Sequence, residues 1–215
     1  MTPKILFRDA RFVVIDKPAG LPVHAGRAGG ASVEDFFPAW RRGKQGPWLA
    51  HRLDHDTAGC LVVALKKSAL VAAQTLFAGG EAEKTYWAVV RGVPAQPAGV
   101  VDLPLAKVTE GRDWKMAGDS GAGQAAVTEW LLMGQGDGVA WVAFRPKTGR
   151  THQVRAHAAA LGHPVAGDAI YGGGEGRLML LARRIVLPLE PLVVAVAPVP
   201  AHMDKKMREC GYGAE

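Results

Sequence analysis

Cysteine is nearly missing: Cys60 and Cys210 are the only two in 215 residues. They stand far apart with no C-x-x-C spacing, which excludes a disulfide-stapled scaffold and a cysteine-built zinc site; both read as reduced thiols of a cytoplasmic protein. Long apolar runs are missing too. No stretch approaches the ~20 apolar residues of a membrane span, and Met1-Thr2-Pro3-Lys4-Ile5-Leu6-Phe7-Arg8-Asp9 has no apolar core for a signal peptide. No repeat shows at spacings of roughly 20 to 50 residues, which excludes solenoids and propellers. Acidic residues are the scarcer charge, 20 against 26 Lys and Arg, and the formal net charge of +6 favours a polyanionic partner. What is present is a chain 48% hydrophobic and 21% charged, able to bury a core and unlike a disordered segment.

Local patterns divide that chain into short strands and a few helices. Phe12-Val13-Val14-Ile15-Asp16 is a β-rich run stopped by Lys17-Pro18-Ala19-Gly20, and Leu21-Pro22-Val23-His24 resumes in extended form. Ser32-Val33-Glu34-Asp35 is a capping-box-like start of a helix reaching about Arg42. Ser68 is expected to cap a helix over Ala69–Phe77, with Gly79 closing it in the left-handed conformation. Tyr86–Val90, Val127–Leu132 and Val139–Phe144 read as strands, being rich in β-branched and aromatic residues. The Gly- and Ala-rich stretch from Ala117 to Ala126 reads as the loop of a hairpin whose first arm holds Trp114-Lys115-Met116. A helix is expected from about Thr151 to Leu161. Strands outnumber helices and do not alternate with them, so the expected fold is α+β, a mostly antiparallel mixed sheet with flanking helices, as one domain over 1–215.

Chemistry concentrates in three places. His51-Arg52-Leu53-Asp54-His55-Asp56-Thr57-Ala58-Gly59-Cys60 sets a carboxylate among basic and polar side chains just before the apolar Leu61-Val62-Val63-Ala64-Leu65. A carboxylate on a loop at a strand end is placed for chemistry, although a lone Asp there more often makes a turn or a surface ion pair. Arg155 lies on an apolar helical stretch whose residues three and four positions away, Thr151, His152, Ala158 and Ala159, include no acid. A guanidinium in such surroundings needs a carboxylate from elsewhere. Tyr86 stands in Lys84-Thr85-Tyr86 on a strand, a position that by itself reads as core or interface.

Together these runs resemble the RNA pseudouridine synthases of the RluA type. The first is similar to their HRLD-x-x-TSG motif, Lys17-Pro18-Ala19-Gly20 with Val23-His24 to their KPxGxxVH opening, and Lys84-Thr85-Tyr86 to their K-x-Y. Gly149-Arg150-Thr151-His152-Gln153-Val154-Arg155-Ala156-His157, then Leu161-Gly162-His163-Pro164-Val165 and Gly167-Asp168-Ala169-Ile170-Tyr171-Gly172, resembles their third motif in the expected order. The resemblance runs from about Phe7 to Pro200. It implies the pseudouridine synthase fold and isomerisation of uridine in ribosomal or transfer RNA, with no cofactor and no metal. It assigns Asp54 as the residue that attacks the sugar or removes a sugar proton, Arg155 as the cation that orients Asp54 and keeps it ionised, and Tyr86 as the ring that stacks on the target base. Leu180 corresponds to an apolar residue packed against that base, which core packing alone would also explain, and Arg52 to an Arg that fills the space left by the extruded nucleotide. Arg150, Thr151 and His152 are expected on the RNA face, with Lys17, Arg27, Arg41, Arg42 and Lys44 as weaker candidates.

Three positions depart from the pattern: Ala58 stands where Ser is common, His55 where Arg often stands, and Leu181 where a His frequently follows the Leu. Altered loop hydrogen bonding or RNA contacts are expected from them, not lost catalysis. The implied protein is cytoplasmic, monomeric and free of membrane contact, with no separate RNA-binding domain ahead of the catalytic pattern. Two rival readings exist. A metal-dependent phosphohydrolase built on His51, Asp54, His55 and Asp56 lacks further ligands at fitting spacings. A non-catalytic RNA-binding or RNA-folding protein on the same fold needs no combination of Asp54, Tyr86 and Arg155, yet all three are there.

Overall fold

A computed structural model describes residues 2–26, 29–41, 44–110, 113–119 and 121–213. The chain folds into two compact units, one of Met1–Lys84 with Leu181–Pro198, the other of Thr85–Leu180 with Val199–Glu215. Strands in both are mostly antiparallel, and helices flank them.

In the first unit, β1 (Lys4–Arg8) and β2 (Phe12–Lys17) form a hairpin. Its turn is closed by Asp9, whose carboxylate accepts the backbone N–H groups of Arg11 and Phe12 at 2.7 and 2.6 Å. Strand β2 pairs antiparallel with β4 (Ala58–Ala64), on which the two-residue β3 (Trp48–Leu49) also lies. All seven residues of β4 are buried, the signature of a strand covered on both faces, and β4 runs parallel to β11 (Leu180–Leu187). Strand β12 (Val193–Val196) pairs antiparallel with β11.

Helix boundaries differ from the sequence expectation. A short 3-10 turn at Val33–Phe36 leads into α1 (Phe37–Trp40), and at its start stands the anticipated capping box, in which the Asp35 carboxylate accepts the Ser32 backbone N–H at 2.9 Å. The helix ends at Trp40; Arg42 lies outside the described residues. Helix α2 spans Lys67–Gly79 with Lys66 at its N-cap, so Ser68 is inside the helix, and Gly80 rather than Gly79 takes the left-handed conformation, φ 74°. Its Ala69, Leu70, Ala73 and Leu76 are buried.

In the second unit, β5 (Glu83–Arg91), β10 (Val139–Pro146), β9 (Val127–Gly136) and β6 (Ala98–Asp102) lie side by side, each antiparallel to its neighbour. Strands β7 (Leu105–Glu110) and β8 (Asp113–Gly118) form a separate hairpin. Trp114-Lys115-Met116 is therefore the second arm, not the first, and the 117–126 stretch leads onward to β9. The sequence reading missed β7 because Leu105-Ala106-Lys107-Val108-Thr109-Glu110 is a weak, half-polar alternation. Helix α3 spans Gln153–Ala160, starting two residues later than expected. Helix α4 (Ala201–Glu209) buries Met203 and Met207. The core of this unit joins Ala88, Val90, Val142, Phe144, Val154 and Ala158 to Leu178 and Leu180. No helix among the described residues is long and apolar enough to cross a membrane.

Candidate active site

In the first unit, the segment carrying Asp54 is fastened at both ends by buried or partly buried polar groups. At its start, the Ala50 N–H donates to the Val62 carbonyl at 3.0 Å and the Val62 N–H donates to His51 Nε2 at 3.0 Å. The His51 side chain thus replaces the backbone acceptor that an uninterrupted ladder would supply. Its ring lies 4.7 Å from that of Phe77 on α2. Burial, and then the charge of Lys84, push the imidazole down to about 3, so Nε2 keeps its lone pair and stays an acceptor. At the far end, the Thr57 N–H donates to the Asp54 carbonyl at 3.2 Å, closing a turn between buried Leu53 and buried Thr57.

The second fastening is Lys17. Its side chain is fully buried, and Nζ donates to the carbonyls of Pro18, Leu21 and His55 at 3.0, 2.8 and 2.9 Å. Three ammonium protons meet three carbonyls. The His55 carbonyl also accepts the Gly20 N–H at 3.0 Å. Burial pushes the amine down to about 8, and the nearby Asp56 and Asp54 carboxylates pull the other way. Lys17 therefore does not belong to an RNA face, because its charge is spent inside the protein on the loop beside Asp54.

Asp54 itself is partly exposed, Arg52 is exposed, and His55 is exposed with Nδ1 2.7 Å from Asp56 Oδ1. Arg41 is exposed and donates from Nε to the Gly46 carbonyl at 3.1 Å, Lys44 is exposed, and Arg27 and Arg42 lie outside the described residues. Ala58 and Leu181, two of the three departures, are register partners across β4 and β11 and are both buried. A hydroxyl on one strand would need a polar partner on the other, so the two apolar residues suit each other. Next to them Gly59 sits at φ 109°, and a Cβ there would collide with the Ala182 carbonyl.

In the second unit Arg155 pairs with Asp168, which the sequence reading quoted but gave no role. Arg155 donates from Nε to Oδ2 at 2.7 Å and from Nη2 to Oδ1 at 2.8 Å, a two-point fork with both side chains buried. Oδ1 also accepts the N–H groups of Ile170 and Tyr171 at 3.0 and 3.1 Å. Burial alone would raise the Asp168 carboxyl; the Arg155 hydrogen bonds and charge, with the two backbone donors, outweigh it and hold the carboxyl below its ordinary value. The signal available beforehand was the need of a buried Arg for an acid, together with an acid already inside the motif.

Around that pair the RNA-face candidates are held closely. His152 has φ 52°, the one described non-glycine residue with positive φ, and it forms the turn before α3. Its ring stacks on Trp114 of β8 at 5.0 Å and meets Tyr171 edge-on at 5.8 Å, with Nδ1 3.1 Å from the Tyr171 hydroxyl. That hydroxyl accepts the Met116 N–H at 2.8 Å, and the Arg155 guanidinium lies 5.3 Å over the Tyr171 ring. Neither Trp114 nor Tyr171 was anticipated as part of this surface. Arg150 is exposed and donates from Nε to the Ala125 carbonyl at 3.0 Å, and Thr151 is partly buried. Tyr86, in register with Phe144, is partly exposed and packs on the core cluster that contains Leu180, itself 2% exposed. Asp54 and Arg52 thus belong to the first unit, and Tyr86, Arg150, Thr151, His152, Arg155 and Leu180 to the second.

Residues 11–160 match the family model described as RNA pseudouridylate synthase. The chain belongs to this family. Among relatives, an RNA pseudouridine synthase of Zymomonas mobilis is 41% identical over 209 residues, covering 93% of this chain and 95% of that one. The dual-specificity RNA pseudouridine synthase RluA of Escherichia coli is 37% identical over 195 residues, covering 88% of this chain and 85% of that one. Among solved structures, human RNA pseudouridylate synthase domain containing 4 superposes with a TM-score of 0.81 at 29% identity, over 95% of this synthase and 92% of that chain. The synthase is accordingly an isomerase that forms pseudouridine in RNA. Among its described residues no group of three or more His, Cys, Asp or Glu is gathered as a metal site, and His51 Nε2 accepts the Val62 N–H.

Proposed function

We propose that this synthase modifies uridines of ribosomal or transfer RNA, with Asp54 as the residue that acts on the ribose. The relatives named RluA carry the description dual-specificity, which supports a substrate range wider than one RNA. The reaction breaks the bond between the ribose and uracil nitrogen 1, turns the base and rejoins it through carbon 5. Atoms and electrons balance without an external reagent, so side chains suffice. Asp54 supplies the carboxylate, as nucleophile or as base towards the sugar. Tyr86 supplies an aromatic face for the flipped uracil and Leu180 an apolar floor behind it. Arg155 supplies the compensating cation, Arg52 fills the space the nucleotide leaves, and Arg150, Thr151 and His152 meet the backbone. The protein is read as acting in the cytoplasm as a monomer, with no activity assigned to either unit alone.

The observation that carries this reading is the treatment of the segment 51–57. Two titratable side chains, the buried Lys17 and the partly buried His51, are committed to fixing a loop whose own carboxylate is left partly exposed. A loop with no chemical task gains nothing from so costly a fixture. Pseudouridine mapping of total RNA from cells with and without the gene identifies the sites, and complementation with Asp54→Asn tests the residue. Sites that vanish without the gene and fail to return with Asp54→Asn support the reading; sites that return with Asp54→Asn overturn it.

A further inference from the structure

The helix that carries Arg155 is fixed by a buried hydrogen-bond chain on its opposite side. Gln153 and His157 are four residues apart and share one face of α3, and Arg155, two residues from each, projects from the other. Gln153 is 4% exposed, and His157 and Thr128 are 0%. Both α3 side chains converge on one atom, the hydroxyl oxygen of Thr128 on β9: Gln153 Nε2 stands at 3.0 Å and His157 Nδ1 at 2.9 Å.

The protons in this chain have one consistent arrangement. His157 Nε2 lies 3.0 Å from the Leu103 carbonyl, which can only accept, so Nε2 carries a proton. Burial lowers the imidazole below its ordinary value, against the Leu103 carbonyl and the charge of Asp102, and leaves Nδ1 as an acceptor. The Thr128 hydroxyl must then donate to Nδ1 and accept from Gln153. Gln153 Nε2 uses its two protons on Thr128 and on the Val127 carbonyl at 3.0 Å. Its Oε1 accepts the Thr148 hydroxyl at 2.8 Å and the Arg150 N–H at 2.9 Å. Each donor finds an acceptor from Thr148 through Gln153, Thr128 and His157 to Leu103.

We propose that Thr128, Gln153 and His157 are positioning residues of the synthase, setting the rotation of α3 that aims Arg155 at Asp168 and the turn that presents Arg150, Thr151 and His152. Apolar side chains would bury as well, as Val154 and Ala158 do, but they tolerate rotation and sliding. A fully satisfied polar chain does not, since a small shift leaves several buried groups unpaired at once. The same Gln153 holds both the first turn of the helix and the Arg150 backbone, so the ion pair and the RNA-facing turn share one anchor. The catalytic part of this inference rests on the role proposed above for Arg155.

The test uses the full chain with Thr128→Val, which keeps shape but lacks the hydroxyl, and Thr128→Ser, which keeps the hydroxyl. One readout needs no RNA: solvent exchange of the Arg155 Nε–H, observed by nitrogen-15 NMR and assigned by its loss in Arg155→Lys. The other is the single-turnover rate at saturating RNA, measured beside RNA affinity. Thr128→Val is expected to speed that exchange by about tenfold or more. It is expected to lower the rate by about tenfold to a hundredfold, with affinity changed by less than about threefold. Thr128→Ser is expected to restore both. Wild-type exchange in Thr128→Val, or equal losses in the Val and Ser variants, overturns the proposal. Faster exchange with an unchanged rate upholds the positioning and removes Arg155 from the reaction instead. Should Thr128→Val fail to fold, His157→Phe keeps a ring of similar shape but has neither an acceptor for Thr128 nor a donor for Leu103, and the same outcomes decide.

Discussion

Replacing Asp168 by Asn removes one charge and almost no volume, and it is expected to cost more stability than most single substitutions. Of the four hydrogen bonds described above at this carboxylate, three end on Oδ1, from Arg155 Nη2, Ile170 and Tyr171, and an Asn oxygen can keep them. The fourth, from Arg155 Nε to Oδ2, would face an amide N–H instead. The guanidinium then stays 9% exposed with the charge of Asp168 gone. Breaking a buried pair at one partner costs about 3–5 kcal/mol, roughly 6–20 °C in melting temperature for a chain of this size. Arg208 and Asp204 supply the control: they meet at 2.8 Å, but on the surface, at 52% and 41% exposure. Asp204→Asn is expected to leave the melt almost unchanged, since solvent screens the pair. Arg155→Met combined with Asp168→Asn removes the buried cation as well and is expected to regain most of the loss. Thermal and urea melts followed by circular dichroism measure all of these at pH 7. The Asp168 contribution is complete there, because a carboxyl held below its ordinary value stabilises above about pH 3.9 and loses this only as the pH falls through its lowered value. Melting of Asp168→Asn within about 2 °C of wild type, or a double variant no better than Asp168→Asn, would refute the reasoning.

Raising the pH through about 8 deprotonates Lys17, leaving two N–H donors for three carbonyls, so turnover is expected to fall. Stability from this group moves the other way up to about pH 10.4, since the unfolded chain holds the proton longer; a rate loss accompanied by unfolding would contradict the assignment. Gly59→Ala is expected to cost at least roughly 2 kcal/mol, from φ 109° and the collision with the Ala182 carbonyl, and an unchanged melt would count against the β4–β11 register. Tyr86→Phe is expected to change RNA binding by less than about 1 kcal/mol and Tyr86→Ala to lose roughly 1–3, with full activity in Tyr86→Ala removing the ring from the site. RNA affinity is expected to drop steeply with added salt, as phosphate contacts require; flat salt dependence in a filter-binding titration would exclude them.

Much of this was legible beforehand because it lies in local pattern. The β-branched runs at Phe12, Tyr86, Val127 and Val139 became strands, and the runs at His51 and Gly149 named the family. What escaped was whatever depends on partners distant in sequence. Asp168 reads as one more acid in a Gly-rich loop until the fold brings it to Arg155. Lys17 reads as a surface cation, since lysines almost never bury fully unless partnered, and its partners are carbonyls that no composition reveals. The Trp114 arm was assigned to the wrong side of its hairpin because β7 has no aromatic residue and alternates only weakly, whereas Trp114 marks β8. Helix ends slipped by one or two residues, as they do where capping is backbone-made.

The Lys17 fixture makes the reactive loop non-portable. The carbonyl it holds at His55 is 38 positions away in sequence. Grafting the segment 51–60 onto another scaffold would carry the carboxylate but leave its anchor behind. For the same reason amine-directed reagents, which label surface lysines readily, are shielded from this one by the folded chain. Its labelling would report the opening of the loop itself, giving a chemical clock for the state in which Asp54 is no longer held.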